Sequence, residues 1–324
     1  MTQMTCIQAT TAALAEEMAR DATVFHAGID VAKVGGVFGG SVGLLERFGP
    51  KRVRDTPISE AAIVGMAVGA ALVGARPVIQ LMFADFLMRA WDEIVNQAAK
   101  MRFMCGGSST VPLTIMAGTG GGISAAAQHS QSIEAMCAHV PGLIVVCPST
   151  PADCKGLLKS AIRDDNPVIF LDSKALGNFK GEVPDGDHLV PLGKAAVARA
   201  GKDLTIVAVS RMVHSALAAA QTLAEQGIDA EVIDPRTIYP LDTQAILESV
   251  ARTGRLLVVH EASTFCGIGA EIVASVTDKA FDSLKAAPVR LGSPHSPVPF
   301  APVLENRFYP RVDDIVAAGQ RLMG

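Results

Sequence analysis

The sequence predicts an α/β protein of two consecutive domains, each a mainly parallel sheet with helices on both faces. Short apolar segments of strand type alternate with longer helical segments along most of the chain, which is typical of βαβ units. Hydrophobic residues make up 49% of the 324 residues but aromatic residues only 5%, and this composition suits buried parallel strands. Residues 177–191, rich in Gly, Pro, Asp and Lys, predict a linker, so the domains are expected at 1–185 and 186–324.

The elements of the first domain follow from the spacing of its apolar residues. Runs of apolar and β-branched residues between turn-forming residues predict strands at 24–29, 76–83, 111–116, 143–147 and 168–171. Apolar residues three or four positions apart predict helices at 10–20, 60–73, 85–102, 130–139 and 152–164. Because helices separate the strands, neighbouring strands are expected to be parallel.

The second domain repeats the alternation. Strands are predicted at 204–209, 230–233, 256–260 and 289–291, and helices at 213–226, 243–253 and 267–280. The proline-rich run 294–302 predicts extended backbone before a last helix that begins near Asp313. No internal repeat accompanies this shared rhythm.

The helix predicted at 60–73 is unusually apolar along its whole length. Pro57 predicts an extended approach, and Ser59 is a favourable N-cap residue. Gly65 and Gly69 lie four apart on one face, where small side chains let another helix come close. The apolar run ends at Gly74, short of the roughly 20 residues that a bilayer requires. We therefore expect a fully buried helix, covered by other elements or by another subunit.

Glu60 places a carboxylate at the start of this dry helix. The helix N-terminus stabilises a negative charge, whereas burial among apolar groups disfavours it. A carboxyl group between these two effects can pass a proton to a ring nitrogen. The alternative is that Glu60 only complements the helix dipole.

His129 follows a glycine-rich loop near the predicted carboxyl end of a strand. Open α/β sheets bind ligands at such places, and histidine can transfer protons near neutral pH. The alternative is a core or capping histidine. Glu134 and His139 do not share a helix face with His129, so a zinc site is not expected.

Several other functions are disfavoured by composition and motifs. The net charge of −4 argues against nucleic-acid binding. The six cysteines form no Cys-x-x-Cys pair, which argues against a zinc ribbon or a thioredoxin-like site. Neither a secretory signal nor a membrane span is predicted, so we expect a cytoplasmic protein. Gly39-x-Ser41-x-Gly43 matches a nucleophile elbow but follows a loop instead of a strand, so Ser41 is not expected to be a nucleophile.

Taken together, a series of short motifs resembles one family. The segment Asp55-Thr-Pro-Ile-Ser-Glu60, with Gly65 and Gly69 after it, looks like the β subunit of the thiamine-diphosphate-dependent 2-oxo acid dehydrogenases and acetoin dehydrogenase. Further matching segments occur in the family's order at 83–86, 96–100, 128–131, 141–143 and 234–237. The resemblance covers nearly the whole chain.

The resemblance implies roles for individual residues. Glu60 would hydrogen-bond the aminopyrimidine ring of thiamine diphosphate, Phe86 would pack on that ring, and Gln80 and Leu81 would also contact the cofactor. His129 would face the side from which a lipoyl arm enters. The backbone of Ala161, Ile162, Asp164 and Asn166 matches a loop that binds a structural potassium ion.

The resemblance also implies partners. Thiamine enzymes hold the diphosphate and Mg²⁺ with a Gly-Asp-Gly and a later Asn, and this chain has no Gly-Asp-Gly. We therefore expect an α subunit to bind that half in an α2β2 assembly, and this chain to be inactive alone. The expected reaction cleaves acetoin or a short, pyruvate-like 2-oxo acid and passes the acyl group to the lipoamide of an acyltransferase component.

Some positions depart from the family pattern. Ile29 and Met116 replace polar residues, Asp172 replaces a glutamate, and Gly177 replaces an aromatic residue. These departures leave open a non-catalytic scaffold subunit. A transketolase-type synthase is the other alternative, although it requires a diphosphate motif that is missing here. Residues 174–176 and 293–301 favour the acetoin branch.

Overall fold

The computed structural model describes residues 1–324, which form two compact units. The first unit contains residues 1–119 and 136–192, and the second contains residues 120–135 and 193–324. The boundary predicted at 185/186 therefore lies a few residues before the change of unit at Leu192. Residues up to 192 stay with the first unit because, for example, Ser160 Oγ donates a 2.7 Å hydrogen bond to the carbonyl of Val190.

The first unit is built on a parallel sheet, as predicted. Six of its strands pair in parallel in the order β6-β7-β5-β4-β2-β3. These strands are β2 (Val24–Gly28), β3 (Val53–Asp55), β4 (Arg76–Phe83), β5 (Thr114–Thr119), β6 (Ile144–Val146) and β7 (Val168–Ser173). The short strands β1 (Thr2–Thr5) and β8 (Lys180–Val183) form a separate antiparallel pair, which the linker-like composition concealed.

Helices cover this sheet on both faces. They are α1 (Cys6–Arg20), α2 (Leu44–Phe48), α3 (Glu60–Leu72), α4 (Met101–Met104) and α6 (Pro151–Arg163), while α5 (Glu134–Ala138) lies where the chain enters the unit again. Side chains of α1 and α6 share a buried cluster with Val78 and Phe170 of the sheet. The helix α3 packs directly against β4.

The segment predicted as one helix at 85–102 is broken in the structure. It consists of a 3₁₀ segment at Ala84–Ala90, a π-helical segment at Glu93–Ala98 and the short α4. The apolar spacing correctly indicates a buried face, because Leu87, Ala90 and Ile94 are buried. It does not reveal the backbone hydrogen-bond register, which changes along the segment. Similarly, the helix predicted at 130–139 is reduced to α5.

Within this chain the helix α3 is only partly buried, so the coverage of its remaining face by another subunit stays a prediction. Ile63, Val64 and Ala67 face the core, whereas Gly65 and Met66 are exposed. An all-apolar sequence cannot show which face is covered. Ser59 occupies the N-cap position, but its side chain makes no capping hydrogen bond, so the predicted cap is absent.

The second unit contains a five-stranded sheet of order β14-β13-β10-β11-β9, in which only β9 is antiparallel to its neighbour. The five strands of this sheet are β9 (Ala196–Arg199), β10 (Leu204–Ala208), β11 (Ala230–Asp234), β13 (Leu256–Ser263) and β14 (Val289–Ser293). The unit also contains the short strand β12 (Thr237–Tyr239), which is not part of this sheet. Its helices are α7 (Met212–Glu225), α8 (Thr243–Thr253), α9 (Ile268–Ala280), α10 (Pro302–Phe308) and α11 (Val312–Met323). No helix of the structure has both the length and the hydropathy needed to cross a membrane.

Buried ion pairs connect α1, α6 and the end of the first unit. Glu17, on α1, has no exposed surface and lies 2.7 Å from Arg163 of α6. Lys159 of α6 is also buried and contacts both Glu16, at 2.6 Å, and Asp187, at 2.7 Å. Each buried charge therefore has an opposite partner, as burial requires.

We expect Asp187→Asn to lower the thermal unfolding midpoint at pH 7. Hydrogen bonds from Arg163 and Lys159 hold the pKa of Asp187 below its usual value. A carboxylate with a depressed pKa stabilises the fold above its unfolded-state pKa of about 3.9 and loses that contribution as the pH falls. The difference between variant and parent should therefore shrink below about pH 4, as measured by thermal unfolding across pH. The exposed Asp278→Asn is the control, and equal midpoints for Asp187→Asn and the parent at pH 7 would contradict the prediction.

Candidate functional site

Glu60 is a nearly buried carboxylate at the first residue of α3, with 4% of its surface exposed. Its Oε2 lies 3.4 Å from Nε of Arg89, whose side chain is 72% exposed. The cation beside the Glu60 carboxylate is therefore a largely solvent-exposed side chain. The free N–H groups at the start of α3 add a positive potential. As a carboxylate this side chain can accept a further hydrogen bond from a ligand, and it can donate one only when it is protonated.

Gln80 and Phe86 lie on the same stretch of chain, β4 and the 3₁₀ segment that follows it. Gln80 is buried, and its Oε1 has no hydrogen-bond partner in the chain. Phe86 is half-buried and packs edge-to-face on Phe83, with ring centroids 6.0 Å apart. A partly exposed aromatic ring such as that of Phe86 can pack on a heteroaromatic ring, whereas Oε1 of Gln80 has almost no exposed surface.

Leu81 is fully enclosed by the first unit. Successive side chains of a strand point to opposite faces, so Gln80 and Leu81 cannot both point toward one ligand. The structure gives the Leu81 side chain a packing role, and its contact with the cofactor stays a prediction.

Ser41 in the glycine-rich loop hydrogen-bonds His26, with 2.8 Å between Oγ and Nε2. The other ring nitrogen, Nδ1, lies 3.0 Å from the carbonyl of Val78. Because a carbonyl only accepts, Nδ1 carries the proton and Nε2 accepts the Ser41 hydroxyl. Both side chains are buried, and burial lowers the pKa of His26 to about 4. The pair is a neutral structural contact without an acid partner, which agrees with the expectation that Ser41 is not a nucleophile.

His129 lies in the second unit, in a 3₁₀ turn at Ala127–His129, and is half-buried. The same segment contains Glu134, which is buried. Burial raises the pKa of Glu134 to about 7, and the nearby charge of Glu261 adds to this shift. The sequence offered no signal for this perturbed carboxyl, because the shift in its pKa depends chiefly on burial in the folded structure and, to a smaller extent, on Glu261 of β13.

The predicted potassium loop is already in contact with a cation. The Arg76 guanidinium donates to the carbonyls of Ile162, at 3.1 Å, and Asp164, at 2.9 Å. The Asp164 carboxylate accepts the backbone and side-chain N–H groups of Asn166, and the Ala161 carbonyl accepts the Asp164 N–H. Each carbonyl oxygen retains a second lone pair. A potassium ion would therefore share these oxygens with a positive charge, and the site stays a prediction.

A small cavity of about 30 Å³ lies in the first unit. Its lining includes Gln80, Met116, Asp172 and Ser173. The hydroxyl of Ser173, like Oε1 of Gln80, has no partner in the chain, and burial raises the pKa of Asp172. The cavity has room for about two water molecules, which would satisfy these groups. Met116 and Asp172, two departures from the family pattern, thus lie side by side with a residue predicted to bind the cofactor.

Comparison with known proteins identifies the two units. The sequence matches the transketolase pyrimidine-binding domain over residues 2–180 and the transketolase C-terminal domain over residues 193–315. Domains of this type imply dependence on thiamine diphosphate. The fold is similar to a solved structure described as a split gene transketolase, inactive β4 tetramer, with a TM-score of 0.81 and 25% sequence identity, covering 99% of this chain and 98% of that one.

Two sequence relatives narrow the family. The acetoin:2,6-dichlorophenolindophenol oxidoreductase subunit β of Cupriavidus necator is 49% identical over 321 residues, which cover 96% of this chain and 95% of that protein. The 2-oxoisovalerate dehydrogenase subunit β of Bacillus subtilis is 44% identical over 324 residues and covers 99% of both. The predicted fold class and the resemblance are confirmed, and the chain belongs to the transketolase-like β subunits of the acetoin and 2-oxo acid dehydrogenases.

Proposed function

We propose that the chain is the β subunit of a thiamine-diphosphate-dependent dehydrogenase component that cleaves acetoin or a short 2-oxo acid and transfers the acyl group to lipoamide. The observation that carries the proposal is the nearly buried Glu60 carboxylate at the start of α3, within the pyrimidine-binding domain. Acetoin is the favoured substrate, because the relative named for acetoin is 49% identical and the one named for 2-oxoisovalerate is 44% identical.

The residues of the first unit fit the pyrimidine half of the cofactor. When bound, thiamine diphosphate supplies the carbon nucleophile and the electron sink for cleavage of a carbon–carbon bond. Glu60 would hold a proton at a ring nitrogen of the aminopyrimidine. The ring of Phe86 would orient the aminopyrimidine, and Gln80 on β4 would contact the cofactor as well.

His129 would act at the acyl-transfer step. His129 would donate a proton to the lipoyl sulfur that is released when the S–S bond breaks and the other sulfur bonds to the acyl carbon. The two electrons that reduce the disulfide come from the cleaved carbon–carbon bond of the substrate. Histidine suits this step because its two ring nitrogens can donate and accept protons near neutral pH.

An α subunit would complete the site. This chain has no Gly-Asp-Gly motif for a Mg²⁺-bound diphosphate, so the α subunit would hold that half and its metal in an α2β2 assembly. The exposed apolar face of α3 and its flanks supports a partner, since Ile58 is 80% and Val73 is 85% exposed and such surfaces commonly mark interfaces. An acyltransferase component carrying lipoamide is the second partner in the proposal, and the proposal includes K⁺ bound by the backbone of Ala161, Ile162, Asp164 and Asn166.

The alternatives predict different behaviour. A transketolase-type synthase would transfer a carbon unit to an aldose without lipoamide, and the fold similarity to a split gene transketolase favours this reading as the second candidate. That structure is described as an inactive β4 tetramer, which supports the expectation that a β chain alone is inactive. A scaffold subunit would leave all substrates unchanged even with the α chain present. A panel of acetoin, pyruvate, 2-oxoisovalerate and sugar phosphates, assayed on the assembled complex, separates the three.

We expect Glu60→Gln to lower the turnover of the complex by about 10²- to 10⁴-fold, the usual contribution of a positioned proton donor. Glutamine keeps the shape and one acceptor oxygen but cannot supply the proton. The measurement is dichlorophenolindophenol reduction with acetoin after assembly with the α subunit. The exposed Glu46→Gln on α2 serves as the control, and full activity of Glu60→Gln would refute the assigned role.

We expect the isolated chain to bind thiamine diphosphate and Mg²⁺ too weakly to detect. Phosphate binding needs a metal or a backbone cradle, and neither is encoded by a recognisable motif here. Titration calorimetry should show binding only when the α subunit is present. Saturable binding of the complete cofactor to the isolated chain would contradict the division of the site between two polypeptides.

A further inference from the structure

The segment that carries His129 is held by a carboxylate from the C-terminal part of the second unit. Glu305, on α10, is 2% exposed. Its Oε1 accepts the Gly122 N–H at 2.8 Å, and its Oε2 accepts both the N–H, at 2.9 Å, and the hydroxyl, at 3.1 Å, of Ser124. The two carboxylate oxygens of Glu305 thus accept hydrogen bonds from three donors that lie within residues 122–124.

The backbone next to this contact is strained. Ser124 and Ala126 have φ values of 54° and 62°, in the left-handed region that residues with a Cβ seldom adopt. Such conformations are unfavourable and persist only when surrounding groups impose them. Ser124 is itself bound by Glu305, and Ala126 lies between this contact and His129, so the contact constrains the backbone that leads into the turn at 127–129.

A second carboxylate supports the same segment. Glu261, at the end of β13, lies 3.4 Å from the Gly121 N–H and 2.6 Å from Arg211. The Arg211 guanidinium stacks on the ring of Tyr309, the residue after α10, at 4.6 Å from its centroid. A Cβ on Gly121 would lie 2.0 Å from the Tyr309 hydroxyl, so the segment contacts this ring closely. These contacts therefore hold the end of α10 and the segment that begins at Gly121 together.

We propose that Glu305 is a positioning residue for acyl transfer, because it sets the backbone that presents His129 to the incoming lipoyl disulfide. This inference rests on the proposed function of His129. A carboxylate suits the role because it only accepts, and its two oxygens provide about four lone-pair sites. Glutamine at this position would direct an NH₂ group toward Gly122 or Ser124, where the backbone offers only donors.

The test is Glu305→Gln in the complex assembled with the α subunit. Two rates are measured: dye reduction with acetoin, which reports cleavage of the substrate, and reductive acylation of a lipoyl domain, which also needs His129. We expect the ratio of acylation to dye reduction to fall about 10- to 100-fold, the usual effect of misplacing a catalytic group by about 1 Å. The exposed Glu225→Gln on α7 should leave the ratio at the parent value.

A double-mutant comparison separates positioning from general damage. If Glu305 acts through His129, then Glu305→Gln should cause little further loss of acylation in a His129→Ala background. An unchanged ratio for Glu305→Gln, or equal losses in both assays with additive effects in the double variant, would overturn the proposal.

Two further measurements keep the proposal testable if activity or folding fails. Amide hydrogen exchange of residues 120–129 should accelerate in Glu305→Gln and not in Glu225→Gln, whether or not the complex is active; unchanged exchange would overturn the proposal.

If Glu305→Gln does not fold, Ser124→Ala is the second variant, because it removes one of the three donors. It should lower the ratio of acylation to dye reduction by a smaller amount, and an unchanged ratio would overturn the proposal. Loss of both activities in the parent complex would instead count against the proposed function.

Discussion

Burial of both faces of a parallel sheet restricts where this protein can place polar groups. In the first unit, α1 and α6 cover one face and α3 packs against β4, so most side chains of the central strands are apolar. Charged side chains that are to meet a ligand must then lie where helices begin and strands end. Glu60, at the first residue of α3, and Phe86, just after β4, occupy such positions. The fold thus places Glu60 and Phe86 at element ends, and buried charges such as Glu17 and Lys159 are satisfied by ion pairs.

The sequence predicted the parts of the fold that depend on local pattern. The alternation of strands and helices, the parallel sheet and the bounds of α6, α7 and α9 to within a few residues follow from apolar spacing. The pairing of β1 with β8 was not predictable, because Gly181 and its neighbours have the composition of a linker and the partner strand lies at the other end of the first unit. The broken register at 84–104 was missed for a different reason: side-chain spacing is similar in neighbouring helix types.

The candidate site was predictable in its residue types but not in its surroundings. The position of Glu60 follows from the helix start, and its near burial agrees with the apolar run that follows it. The contacts of Arg76 with the carbonyls of Ile162 and Asp164 could not be foreseen, because nothing in the sequence pairs a strand start with a helix end. Likewise Glu305 lies 183 residues along the chain from Gly122. Long-range contacts of this kind depend on the folded topology, and they are the contacts that give the site its geometry.

The exposed face of α3 also bears on how a cell must handle this protein. In the isolated chain, an apolar surface formed by Gly65, Met66 and Val73 is exposed to water. Copies of this chain made in excess of the partner subunit would keep that apolar surface exposed and would tend to aggregate. Synthesis of the two chains in equal amounts, for example from one transcript, would therefore limit aggregation of the unpaired chain as well as supply the enzyme.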